Sequence, residues 1–222
     1  SRSKALPPSG ASWPAAVTHT MALAARWITS GHLPVADTYE LNLTGTWITA
    51  VMLLVLMRTG RLPRLVSLVV IPIVFLVLGY GALHRTVAVP LGPAYDSPWL
   101  IVHVVFAWLA FGSFAIAAGA AGLLLLKERA PAFRPAAAIP PATALDQIGY
   151  RLIVLGFVNH AVMLVSGAIW AQNLWGHYWS WDPLETWSLL TCLFYAFYLQ
   201  TRAFLGWKME RSAWLAAFGL LI

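Results

Sequence analysis

Of the chain's 222 residues 60% are hydrophobic and only 10% charged, and the mean hydropathy of +0.73 excludes an ordinary soluble globular domain. The formal charge is +6, from 14 Lys and Arg against 8 Asp and Glu, but in so apolar a chain the placement of the cations bears on membrane sidedness rather than on nucleic acid. A single cysteine, Cys192, lies inside an apolar run, which excludes a disulfide framework and a thiolate cluster.

In chain order, the first residues carry no methionine start and no cleavable signal pattern, and the chain stops at Ile222 within an apolar run, so helices are expected to be missing from one or both ends. Residues 1–40 read as an extracytoplasmic lead-in. Within it, residues 11–34 form a short amphipathic helix with His19, Arg26 and His32 among Ala, Leu, Met and Trp, expected to lie on the outer face. Residues 41–222 read as a transmembrane core. Charge-free stretches run over 41–57, 65–84, 97–126, 152–181, 186–201 and from 212 to the end. A hydrocarbon core needs about 20 helical residues, so these predict five complete helices (42–57, 65–83, 99–126, 151–171, 186–205) and the start of a sixth (212–222). The runs are continuously apolar without period-two alternation, which favours helices over barrel strands. Pro72 should kink the second helix.

The connections at 58–64, 127–151 and 202–211 hold ten of the fourteen Lys and Arg and belong on the cytoplasmic side; those around 84–98 and 170–186 hold one arginine between them and lie on the opposite, extracytoplasmic face. The proline-rich "APAFRPAAAIPPATA" reads as a cytoplasmic linker. The fold class expected is thus all-α, a polytopic transmembrane helix bundle with an extracytoplasmic tryptophan-rich loop.

That loop, 170–187, contains "WGHYWSWDPLETW". Trp170, Trp175, Tyr178, Trp179, Trp181 and Trp187 fall within 18 residues and include five of the twelve tryptophans. Asp182 and Pro183 supply a helix cap and first helical position. Interface anchoring explains part of this aromatic content. The density also suits a large flat apolar ligand such as a tetrapyrrole, quinone or carotenoid, oriented by a few polar groups. Histidine narrows the choice toward haem, whose iron takes axial imidazole. His103, one or two turns inside the outer end of the third helix, is the candidate iron ligand, since an ionisable residue within a membrane helix is expensive. His177 reads as an exposed interface histidine, and His19, His32 and His84 as water-facing ones.

The stretch "WAQNLWGHYWSWDPLETWSLL" resembles the tryptophan-rich WWD signature of the CcsA/ResC family, haem-handling membrane proteins of system II cytochrome c biogenesis. "RWITSGHLPVADTYE", "PLGPAYDSPWLIVHVVFAWLAFGSFAIA" and "LDQIGYRLIVLGF" are similar to the same family's flanking segments, so the resemblance covers about residues 26–205. It implies that Trp170, Trp175, Tyr178, Trp179, Trp181, Asp182 and Trp187 hold haem b on the outer face, with His103 similar to the first of two outer axial histidines. It further implies a ResB/CcsB-like membrane partner, an apocytochrome c whose CXXCH thiols meet the haem vinyl groups, and a role as a component of a holocytochrome c synthase (haem lyase) in a bacterial plasma or thylakoid membrane. No CXXCH occurs in this chain.

Two positions depart from the family. The second outer histidine would fall beyond Ile222, and the family's "YLHTR" reads "YLQTR" here, with Gln200 where a transmembrane haem ligand is expected. His160 is a candidate substitute: counted from Tyr150 it lies roughly 15 Å deep, and Gln200, counted from Lys208, roughly 12 Å. The alternative is a His160 hydrogen-bonded to a helix carbonyl, to Gln200 or to Asn159. For function, the synthase reading stands beside a second, a non-catalytic CcsA-like structural subunit of a larger respiratory or photosynthetic complex. A solute transporter is disfavoured because paired broken helices and intramembrane charge are lacking.

Overall fold

Local signals fix where the long helices begin and end. The computed structural model describes residues 12–87, 91–92, 95–130 and 139–221. Its elements are α1 (Ser12–Ser30), α2 (Thr38–Arg58), α3 (Ser67–Leu83), α4 (Pro98–Arg129), α5 (Ala142–Trp175), α6 (Pro183–Phe204) and α7 (Glu210–Phe218), with 3-10 turns at Arg64–Val66 and Gly219–Leu221. Asp37 caps α2 by accepting from the Glu40 amide at 2.7 Å, and Asp182 caps α6 by accepting from the Glu185 amide at 2.8 Å. Gly176 ends α5 at φ +80°, a left-handed conformation that glycine adopts without a Cβ penalty. The described residues contain no strand, so the chain is an all-α polytopic bundle.

Four helices are long and apolar enough to cross a membrane: Thr38–Arg58, Arg64–Leu83, Pro98–Arg129 and Ala142–Trp175. The fifth stretch expected to cross, 186–205, coincides with α6, which is not among these four. α6 has the length, 22 residues, but Trp, Thr, Tyr and Gln interrupt its leucines and phenylalanines and dilute its apolarity below that of the other four. α3 continues through Pro72 as one helix. α5 starts nine residues before the expected 151, with Asp146 and Arg151 inside it rather than in a connection. Most of the expected linker, including Arg134, lies outside the described residues, as do parts of "PLGPAYDSPW".

α1 runs back along α2. Arg26 donates to Glu40 Oε1 at 2.7 Å and to Asp37 Oδ2 at 3.0 Å, His19 Nε2 donates to the Leu43 carbonyl at 3.0 Å, and Trp47 Nε1 donates to Thr20 Oγ1 at 2.9 Å. From Asp37 to Trp47 these contacts descend about 15 Å of α2. Arg26 reads as a surface charge in sequence, yet it is buried because two carboxylates and the Thr86 carbonyl satisfy it.

α4 is the central helix. Its middle, Gly112 to Ala121, is almost wholly Gly, Ala and Ser, interrupted by Phe114 and Ile116, and small residues let neighbouring helices approach where lipid supplies no hydrophobic drive. Phe114 of α4 stacks on Tyr195 of α6, with ring centroids 3.6 Å apart and planes 4° apart. The core continues through Leu53, Val66, Val70, Leu124, Leu145 and Ile153. Large apolar side chains on the outside, among them Leu68, Phe75, Leu76, Val158 and Phe197, suit a lipid environment.

The bundle therefore has two unlike ends. One carries the loop between α5 and α6. At the other, Arg202 grips Asp146 through two hydrogen bonds of 2.6 and 2.9 Å, and the Met209 amide donates to the same carboxylate at 3.0 Å. Also at that end Arg129 pairs with Glu210, and this contact holds the Glu210 carboxyl below its ordinary range.

Candidate functional site

The loop joining α5 to α6 is pinned at both ends. Gly176 turns the chain out of α5, and beyond Asp182 the Glu185 carboxylate reaches back to the Ser180 amide at 2.6 Å and to its hydroxyl at 3.1 Å. This reciprocal capping satisfies amides that would otherwise be orphaned at the start of α6. Trp181, between these anchors, sits at φ +60°, a left-handed conformation unfavourable for a large side chain.

Behind the loop lies an open-mouthed cavity of about 170 Å³. Trp170, Trp175, Tyr178 and Trp179 supply aromatic wall, Asp182, Glu185 and Ser188 contribute the α6 side, and Met163, Leu164, Gly167 and His103 form the depth. The aromatics form a connected set, with Trp170 and Trp175 rings 5.8 Å apart and Trp170 6.3 Å from the His103 ring.

His103 projects from α4 onto α5, where its Nδ1 lies 2.9 Å from the Met163 carbonyl. A carbonyl only accepts, so Nδ1 carries the proton and donates, leaving Nε2 with its lone pair. This is the tautomer a metal-ligating histidine needs, oriented by a hydrogen bond from its other nitrogen. Gly167 makes the approach feasible: a Cβ there would stand 2.6 Å from His103 Nδ1 and 2.9 Å from Cε1.

Not every residue anticipated from the sequence joins the cavity. Trp181 and Trp187, 69% and 58% exposed, are absent from its lining, although Trp181 touches Trp179 edge to face at 5.8 Å. His177 is exposed and stacks beside Trp175, and His84 donates to the Tyr80 carbonyl within its own helix end. His32 bonds the adjacent Leu33 carbonyl.

His160 is buried, and its Nε2 lies 2.9 Å from the Ser188 carbonyl. The depth assigned to it from the sequence is corrected by this contact. α5 begins at Ala142, so His160 is about 27 Å along the helix rather than about 15 Å, and its level on α6 is Ser188, about 18 Å from Gln200. Gln200 itself is on the exposed face of α6. The two do not share a site. Reasoning from sequence also missed Gly167, Met163 and Ser188, whose roles arise only when α4, α5 and α6 are brought together.

The donor set fits a flat, metal-centred macrocycle. Aromatic faces match an extended apolar ring, His103 Nε2 offers one axial donor, and Trp179 Nε1–H, buried without a hydrogen-bond partner, leaves a donor for an oxygen on the ligand. Asp182 and Glu185 line the mouth while no Lys or Arg does, so an anionic substituent would turn away from that rim.

The pattern of the cytochrome C assembly protein family matches residues 35–222. The chain is similar to the cytochrome c biogenesis protein CcsA of Guillardia theta, with 33% identity over 94% of this chain and 76% of that one. It is 34% identical to the protein of the same name from Chlamydomonas reinhardtii, over 90% of this chain and 58% of that one. The corresponding protein of Synechococcus sp. (strain RCC307) is 32% identical over 89% of this chain and 72% of its own length. This chain thus belongs to the cytochrome c assembly family, as a CcsA-type member.

Proposed function

We propose that this CcsA-type chain, which works in cytochrome c maturation as its relatives' name states, is the haem-handling part of a system II cytochrome c synthase. The observation that carries the reading is His103, its Nδ1 committed to Met163 and its Nε2 left unprotonated at an aromatic-walled cavity. His103 would hold the iron of haem b through Nε2. Trp170, Trp175, Tyr178 and Trp179 would cover the ring and exclude water, and Asp182 caps α6 so that this wall keeps its shape. When bound, haem supplies two vinyl groups, across each of which a cysteine S–H of a CXXCH segment adds to give one thioether, with no other atom gained or lost. The chain's contribution is to hold the reacting groups near each other, which removes much of a bimolecular barrier.

In this reading the loop faces the extracytoplasmic side of a bacterial plasma or thylakoid membrane, because the cations cluster at the opposite end. A ResB/CcsB-like membrane protein is the partner and apocytochrome c the acceptor. The exposed side chain of Gln200 favours a second reading, in which a CcsA-like scaffold that has given up a ligand serves as a structural subunit of a larger respiratory or photosynthetic complex. A pyridine–haem spectrum of the purified full-length protein tests the first. Haem b is expected in the wild type, and His103→Ala should lose it by more than about tenfold, the scale of a lost metal ligand or of its orienting partner. A wild type purified from haem-replete cells without haem refutes the synthase reading.

A further inference from the structure

Two histidine side chains tie the three helices around the cavity. His103 joins α4 to α5 through the Met163 carbonyl, and His160, three residues before Met163 on α5, joins α5 to α6 through the Ser188 carbonyl. Met163 and Ser188 both line the cavity; His160 does not. It is 7% exposed, and its ring lies 6.2 Å from Phe114, which is stacked on Tyr195 of α6. The bond must run from Nε2–H to the Ser188 oxygen, since a carbonyl cannot donate. That nitrogen is therefore engaged and offers no lone pair to a metal.

We infer that His160 is a positioning residue for the haem pocket, holding the first turns of α6 against α5 and so setting the distance between the wall bearing His103 and the wall bearing Asp182 and Glu185. The inference rests on reading the cavity as a haem site. An apolar residue would fill the same volume without a directional bond to one carbonyl of α6. A directional bond to one carbonyl fixes both height and rotation. Its position explains the choice: Ser188 is the last residue of α6 that touches the cavity, so a bond there governs the turn above, where Asp182 and Glu185 close the loop.

The test compares His160→Leu, His160→Asn and His160→Gln in the full-length protein. Gln presents an amide N–H about as far from the backbone as Nε2–H, Asn falls short of Ser188, and Leu fills the volume without a donor. Haem transfer to a scavenging apoglobin should show affinity weakened about fivefold in Leu and Asn, the worth of one net hydrogen bond, and restored to within about twofold of wild type in Gln. The axial-ligand spectrum should keep its wild-type form in all three. Amide hydrogen exchange over residues 184–192 should rise in Leu and Asn and return in Gln, with or without haem. Equal exchange in all four proteins, failure of Gln to restore what Asn loses, or loss of an axial ligand in every variant would overturn the inference. Absence of haem from the wild type refutes the synthase reading instead, while the exchange measurement still decides the role of His160.

Discussion

The two ends of this bundle meet the problem of polar groups at a membrane boundary in opposite ways. At the end carrying the aromatic loop, polar atoms are left available: His103 keeps a lone pair at Nε2, and Trp179 Nε1–H has no partner. At the far end the charged groups are used up, and Ser212 Oγ alone is buried there without a partner among the described residues. Asp146 accepts from Arg202 twice and from the Met209 amide once, Tyr150 lies under the Arg202 guanidinium at 4.7 Å, and Lys127 donates to two carbonyls at 2.6 and 2.9 Å. A satisfied network stabilises a fold, whereas unsatisfied polar atoms beside a cavity are what a ligand can use. The first end thus keeps unengaged polar atoms beside a cavity, and the second uses its charged groups to tie helices together.

Substitutions at each end should therefore report differently. The largest effect on stability is expected from Asp146→Asn, which breaks a pair whose side chains are 10% and 8% exposed and leaves Arg202 uncompensated. A loss of about 3 kcal/mol is expected, read as a lower midpoint of thermal unfolding in detergent, with the haem spectrum of the surviving folded protein unchanged. A spectrum altered as strongly as the midpoint would mean that the ends are not separable. Gly167→Ala acts at the other end. Its Cβ would meet the His103 ring, so haem affinity should fall severalfold by the same transfer assay while the unfolding midpoint moves by less than that of Asp146→Asn; Gly122→Ala, where a Cβ meets open space, is the control. The smallest effect is expected from Gln200→His. The new imidazole would stand on an exposed face with no second histidine beside it among the described residues, so the haem-to-protein ratio should stay that of the wild type when the protein is purified alone. A doubled ratio would show a second site within the bundle.

Much of this contrast could be read before any coordinates were considered. Asp182 followed by Pro183 announced the start of α6, continuous apolar runs announced membrane helices, and His103 beside a dense aromatic loop announced the pocket. What was not legible depended on pairing between helices. Arg26 has no visible partner in sequence but is neutralised by Glu40 and Asp37, and Arg151, which marks a connection in sequence, lies well inside α5; only the second displaces a helix boundary. That displacement put His160 level with Gln200, a false match that vanished once α5 was seen to begin at Ala142. Trp181 and Trp187 share the composition of the pocket tryptophans but not their direction, because the positive φ of Trp181 and the helical rotation of Trp187 turn them outward. Gly167 gives no signal in a single sequence, since its use is the room it leaves for a ring from another helix.

The double anchoring of the loop, by Gly176 at one end and by the Asp182–Glu185–Ser180 bonds at the other, bears on the cost of binding. A flexible aromatic loop would give up conformational entropy each time it closed on a ligand, and that cost would be refunded at each release. Here the ordering is completed when the chain folds. On the proposed reading a ligand meets a preorganised wall, and its retention rests on the His103 bond and ring contact, so that a modest weakening of that one bond is enough to hand the ligand on.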